Sequence, residues 1–186
     1  MVPLPQRYIA FLRAINVGGH TVQMEHLRAL FTALRFDNVE TFIASGNVIF
    51  DSPSSDAAAL EQRIEQHLEK SLGYAVGTFL RAPEELAPVY AHQPFGDPTL
   101  LSPPHSISIG FLKQAVGTAA RGQVMALRTA TDDFDVHGRE LYWCCRTRTS
   151  DSEVSGPRLA KALGAPVTLR NATTLGKLVA KYGRQT

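Results

Sequence analysis

Residues 13 to 20 read RAINVGGH, which sets an arginine, an asparagine and two glycines between an apolar run and a helix pattern. Gly18 and Gly19 permit backbone angles closed to other residues, and free N–H groups at a helix start favour an anion. Arg13 would add charge and Asn16 would orient the ligand. The same letters also make a plain strand-to-helix turn. The stretch is neither a Walker loop nor a G-x-G-x-x-G fingerprint. A second corner, TLRNATTLGKL over 168 to 178, puts Arg170 and Asn171 before the last helix, Thr173 and Thr174 in its first turn and Lys177 one turn on. Capping accounts for Asn171 but less well for the arginine before it and the lysine after it. Two corners of like chemistry suggest one composite anion site, provided the fold joins them.

Other chemistry is thinner. Asp132, Asp133 and Asp135 in TDDFD lack the glycine and distal glutamate of an EF-hand. The six histidines show no H-E-x-x-H or comparable spacing, so neither metal nor cofactor is expected. Ser45 lies in IASGNV rather than a nucleophile elbow; with Asn47 it would hold a backbone or ligand oxygen. Adjacent Cys144 and Cys145 would point to opposite faces of a strand, as buried free thiols. Trp143 reads as core rather than as a base-stacking platform.

The elements that must position these residues follow from hydrophobic periodicity. RYIAFL is apolar on both faces, a central strand. Thr21 is expected to cap a helix with Leu27, Leu30, Phe31 and Leu34 as its stripe. VETFIA and NVIFD form a hairpin at SGN. A helix from Ser55 and Asp56 buries Leu60, Ile64, Leu68 and Leu72 before Gly73, and AVGTFL closes the unit. The order βαββαβ is the ferredoxin-like pattern. It recurs through SISIGFL, a helix over 116 to 127, the hairpin FDV–HGRE–LYWCC, a helix between Ser155 and Gly164, PVTL, and a terminal helix bearing Leu175, Leu178, Val179 and Tyr182. The fold class is therefore α+β, two tandem βαββαβ units with antiparallel sheets and a C-terminal helix. The first unit spans 1–81, a connecting helix and Pro-rich loop span 82–104, and the second unit with its last helix spans 105–186.

LRAINVGGH, IASGNVIF and TLRNATTLGKL resemble the recurring motifs of domain-of-unknown-function family 1697, across residues 12 to 178. The resemblance implies paired ferredoxin-like units and no established activity, substrate or cofactor. It selects Arg13, Asn16, Gly18 and Gly19, then Ser45, Gly46 and Asn47, then Thr168, Arg170, Asn171, Thr174 and Lys177. Ala14 stands where the family pattern has glycine, and Ala172 where an aromatic is typical.

Hydrophobic residues make up 44% of the 186, enough for a core, and no apolar run reaches a membrane span. The first residues do not read as a secretory leader, so a cytoplasmic location is expected. The net charge of +2 divides unevenly: from residue 139 nine bases face three acids, leaving the first 138 residues net acidic. A basic end suits a phosphate-bearing small molecule or nucleic acid, with no membrane partner. Three readings stand. The first is a binding protein for such a ligand at Arg13, Asn16, Gly18, Gly19, Ser45, Asn47, Arg170, Asn171, Thr174 and Lys177. The second is an enzyme using that pocket, with catalytic residues and general base unassigned. The third gives these residues a purely structural role at the junction of the units. Oligomeric state stays open.

Overall fold

A computed structural model describes residues 4–43 and 46–183. The chain divides into two compact units, the first ending at Leu86 and the second running Ala87–Gly183. Each contains a four-stranded antiparallel sheet.

In the first unit the order is β1 (Gln6–Arg13), α1 (Met24–Ala33), β2 (Asp37–Thr41), β3 (Asn47–Ser52), α2 (Ala57–Leu72) and β4 (Gly77–Arg81), with sheet order β2-β3-β1-β4. The expected central strand, β1, is bonded on both sides. Its alternation sends Tyr8, Ala10 and Leu12 into a core with Leu27, Phe31, Ile64 and Leu68 of the two helices. Ile9 and Phe11 project from the reverse face and are fully buried. The outer edge of β4 is covered by α2: Glu65 Oε1 accepts from the Thr78 N–H at 2.8 Å and Glu61 Oε1 from that of Leu80 at 2.9 Å. Carboxylates thus take up edge-strand donors that would otherwise be open to pairing with another chain.

α3 (Pro83–Ala91) crosses the boundary between the units. The second unit continues with β5 (Ser106–Phe111), α4 (Thr118–Met125), β6 (Asp132–His137), β7 (Glu140–Cys145), α5 (Gly156–Leu163), β8 (Thr168–Asn171) and α6 (Ala172–Tyr182), in sheet order β6-β7-β5-β8. The two sheets share one topology and one register. Ile9 pairs with Ile49 and Arg81, and Ile109 pairs with Tyr142 and Arg170. The α+β class and the twice-repeated βαββαβ order are as the periodicity indicated.

Two element starts differ from the sequence reading. α1 begins after Gln23, which makes no side-chain cap, rather than after Thr21. Asn16 reaches across the loop and its Oδ1 accepts from the Val22 N–H at 2.9 Å. α4 begins at Thr118 because the Val116 N–H is committed to Gly138 O at 3.0 Å, which ties that residue to the β6–β7 turn. Among the described residues, no helix is long and apolar enough to cross a membrane.

Trp143 is in the helix-side core of the second unit with Phe134, Val124 and Leu159. Its Nε1–H donates to Asp132 Oδ1 at 2.8 Å, as does the Ser152 hydroxyl, while the Thr129 and Thr131 hydroxyls donate to Oδ2. Burial pushes the Asp132 carboxyl up, but these donors outweigh it and hold the group below its ordinary value. A carboxylate so depressed stabilises the fold above the unfolded value near 3.9, and loses that contribution as pH falls through its folded value. Asp132→Asn is expected to cost about 1–3 kcal/mol at neutral pH, because the amide NH2 replaces one accepting oxygen and faces two of the four donors. Urea titrations across a pH series should show the gap to wild type constant near neutrality and narrowing below about pH 4.

Candidate functional site

β1 leaves the sheet at Arg13, and the next residue, Ala14, turns the chain in the left-handed region at φ +63°. That conformation costs a residue with a Cβ about 1–2 kcal/mol and is glycine's natural place, which accounts for the glycine of the family pattern. Ile15 is buried beneath the turn, and the Tyr74 hydroxyl donates to its carbonyl at 2.6 Å. His20 stacks on the Tyr74 ring at 4.5 Å, and its N–H closes a turn onto Val17 O at 3.0 Å. The two central residues, Gly18 and Gly19, have φ of +60° and +82° and are exposed. Their own N–H groups bond nothing among the described residues.

Arg13 is half-buried, with its stem beside Gly77 of β4. Its guanidinium has no ion pair or hydrogen bond among the described residues. A half-buried cation with no partner among the described residues is unusual and raises the question of an external one.

The second motif meets the first. The Leu12 N–H donates to Gly46 O at 2.9 Å, and a Cβ on Gly46 would lie 2.8 Å from Ile15 Cγ2. Asn47, 1% exposed, is spent on the hairpin: its Nδ2–H donates to Phe42 O at 3.0 Å. Between the motifs lies a narrow recess whose lining includes Asn16, Asn47, Ile15, Val22, Thr41 and Ile43. Ile43 has φ +58°, a marked departure for a β-branched residue, and Met24 and Ile43 remain exposed around this recess. Ser45 lies outside the described residues.

The third motif belongs to the second unit. Arg170 is 7% exposed, and its Nη1–H donates to Thr168 Oγ1 at 2.9 Å and to Leu169 O at 2.8 Å. Burial pulls its guanidinium down to about 10. Asn171 caps α6, with Oδ1 accepting from both the N–H and the hydroxyl of Thr173. Thr174 is partly buried; Lys177 is exposed, and its ammonium has no partner among the described residues. Sequence reasoning passed over the counterpart of Arg170. Arg81 occupies the same register position in the first sheet, is 1% exposed, and its Nη1–H donates to Leu80 O at 2.8 Å. A buried arginine folded back on the preceding carbonyl is thus a feature of both closing strands.

The acidic cluster is divided by alternation. Asp132 faces the helix-side core, Asp133 pairs with Arg128 at 2.7 Å, and Asp135 pairs with both Arg121 and His92 at 3.0 Å. The His92–Asp135 pair is a carboxylate-oriented imidazole that no spacing motif marks, since 43 residues separate the partners. The period-two pattern of DFDVH does put Asp133, Asp135 and His137 on one face, and that was the available signal.

The family model described as "Protein of unknown function (DUF1697)" matches residues 6–142, a span that holds the first two motifs. Among solved structures, a conserved bacterial protein from Streptococcus pneumoniae is similar, at 24% identity and a TM-score of 0.70 over 97% of this chain and all of that one. No curated protein matches. At this identity the structural likeness supports the fold.

The Ala14 turn and the Gly46 contact lead to opposite expectations. Ala14→Gly should raise stability by about 0.5–1.5 kcal/mol, since it removes left-handed strain at some entropic cost. Gly46→Ala should lower it by about 2 kcal/mol or more, through the clash with Ile15 and the same backbone penalty. Chemical denaturation of the two variants checks both signs.

Proposed function

The chain belongs to the DUF1697 family of proteins of unknown function, and from that premise we propose that its first unit binds a phosphate-bearing ligand at Arg13 and the Gly18–Gly19 turn. The observation that carries this reading is the half-buried Arg13 guanidinium, without a partner among the described residues, one short turn before two exposed glycines whose amides bond nothing among those residues. Five donors in a rigid fork suit phosphate oxygens, and successive free N–H groups form an anion-binding concavity. The start of α1 lacks a side-chain cap, which leaves its first-turn amides open as well. A sugar phosphate, a nucleotide or a nucleic-acid end would each present this chemistry.

Asn47, Arg170 and Asn171 favour a structural role, because each spends donors or acceptors inside its own unit. Lys177 retains the charge to meet an anion in the second unit. The compartment proposed is the cytoplasm: Cys144 and Cys145 are buried, unjoined thiols, as suits a reducing environment, and burial pushes the Cys144 thiol up.

A thermal-shift screen with inorganic phosphate, sugar phosphates and nucleotides tests the proposal, since a ligand of the folded state raises Tm. At least one phosphate compound should stabilise the protein, with an effect that shrinks as salt rises. Arg13→Ala should weaken that compound about tenfold or more while moving the ligand-free Tm by no more than about 2 °C. If no phosphate compound stabilises the chain, or Arg13→Ala unfolds it, the reading fails.

A further inference from the structure

Part of the basic excess of the second half lies on the helix layer of the second unit and owes nothing to the glycine turn. α4 carries Arg121, α5 carries Arg158 and Lys161, and neither helix holds an aspartate or a glutamate. Arg121 pairs with Asp135, and Arg128, just past α4, pairs with Asp133. Arg158 and Lys161 are exposed and meet no carboxylate among the described residues. The Arg158 Nη1–H donates to Glu153 O at 2.8 Å, which steadies the guanidinium and leaves its other donors unengaged among those residues. Val124 of α4 and Leu159 and Leu163 of α5 are buried in the core with Phe134 and Trp143, so both helices are anchored from beneath.

On the solvent side the two helices leave an open groove of about 380 Å³. Gln123, Ala126 and Leu127 line it from the end of α4, and Arg158, Lys161 and Ala162 line it from α5. Each set has the spacing i, i+3, i+4 and so forms one helix face, about 6 Å long. The volume falls within the roughly 300–1,000 Å³ of small-molecule sites. Ala126, Leu127 and Ala162 make an aliphatic floor, and the two cations stand along the α5 wall. None of the six residues is aromatic, so the groove offers no stacking platform for a base. We propose that it binds a short-chain aliphatic carboxylate, the chain on Ala126, Leu127 and Ala162 and the head group between Arg158 and Lys161. The planar Arg158 fork matches the two carboxylate oxygens, and Lys161, one turn along the same face, adds a second charge. Each methylene laid on the floor leaves water and adds to affinity, while the short groove limits how many can do so.

The test is a methyl NMR titration of the intact chain with octanoate, butanoate, octanol and octylammonium. Octanoate should give saturable shifts at the Ala126, Leu127 and Ala162 methyls, with a Kd of about 1 mM or tighter and an affinity about tenfold above that of butanoate. Octanol and octylammonium, which have the chain without the anion, should bind about fivefold more weakly or worse. Added salt should weaken octanoate and leave octanol unchanged. Lys161→Gln should lower octanoate affinity about threefold, again without effect on octanol. Ala126→Leu, which fills the groove from an exposed position, should abolish the response at Leu127 and Ala162 while the remaining methyl spectrum keeps its dispersion. Absence of saturable shifts overturns the proposal, as do shifts confined to other methyls, equal affinity for octanoate and octanol, or unchanged binding in a folded Ala126→Leu. If Ala126→Leu fails to fold, the comparison of octanoate with octanol in the natural chain decides by itself.

Discussion

Each unit is organised around a strand hydrogen-bonded along both edges, β1 in the first and β5 in the second. A strand in that position has no freedom of register, since a shift of one residue would move every side chain to the other face. The pairing of Ile9 with Ile49 and Arg81 therefore determines that Tyr8, Ala10 and Leu12 meet the helices. It also determines that the strand exits at Arg13, directly before the glycine turn. The same register recurs around Ile109, and even the bond that secures the strand exit is repeated: the Leu12 N–H on Gly46 O, and the Leu112 N–H on Arg139 O. The two units share a backbone plan despite having few residues in common.

What could be read from the sequence was whatever depends on neighbours in the chain. Asp56 and Ser155 cap α2 and α5 because each side chain bonds an amide three residues ahead, and Gly73 and Gly164 end those helices in the left-handed region. The true start of α1 was hidden because Asn16, not Thr21, takes up the Val22 amide from six residues away, a choice made by loop geometry. Nothing in an alanine announces φ +63° at position 14, and His92 and Asp135 lie in segments with no common motif. β8, at four residues, was too short for alternation to reveal that Arg170 points inward. Its charge drew attention, and its burial was legible only after the pairing of Ile109 with Arg170.

The polar residues of the two units sort by whether their hydrogen-bonding capacity is already used. Asp132 receives four donors, Glu61 and Glu65 quench the edge of β4, and Asn47 clips a hairpin. Such groups are costly to disturb and have little left to offer a ligand. Arg13, the Gly18 and Gly19 amides, Lys177 and the His92 Nδ1 form the opposite class, with capacity unspent among the described residues. This division cuts across the three sequence motifs. Residues grouped by pattern separate by physical role once their partners are known.

Strain adds a further distinction between the units. Among the described residues, those other than glycine with positive φ are Ala14, Arg35, Asn38 and Ile43, all in the first unit. Two of them, Ala14 and Ile43, stand on either side of the Ile15–Gly46 contact beneath the glycine turn. The second unit turns the same topological corner after β5 without a left-handed residue, using the bond from the Val116 amide to Gly138 O. The fold therefore does not require the strained path taken at Ala14. A conformation that costs about 1–2 kcal/mol and is not demanded by topology persists only where surrounding contacts over-determine it, here buried Ile15 and the Tyr74 hydroxyl on its carbonyl. Rigid, strained backbone of this kind holds its amides in place before a ligand arrives, and so reduces the ordering cost of binding. That is the physical reason to look for a ligand at the first unit's turn rather than at its unstrained counterpart.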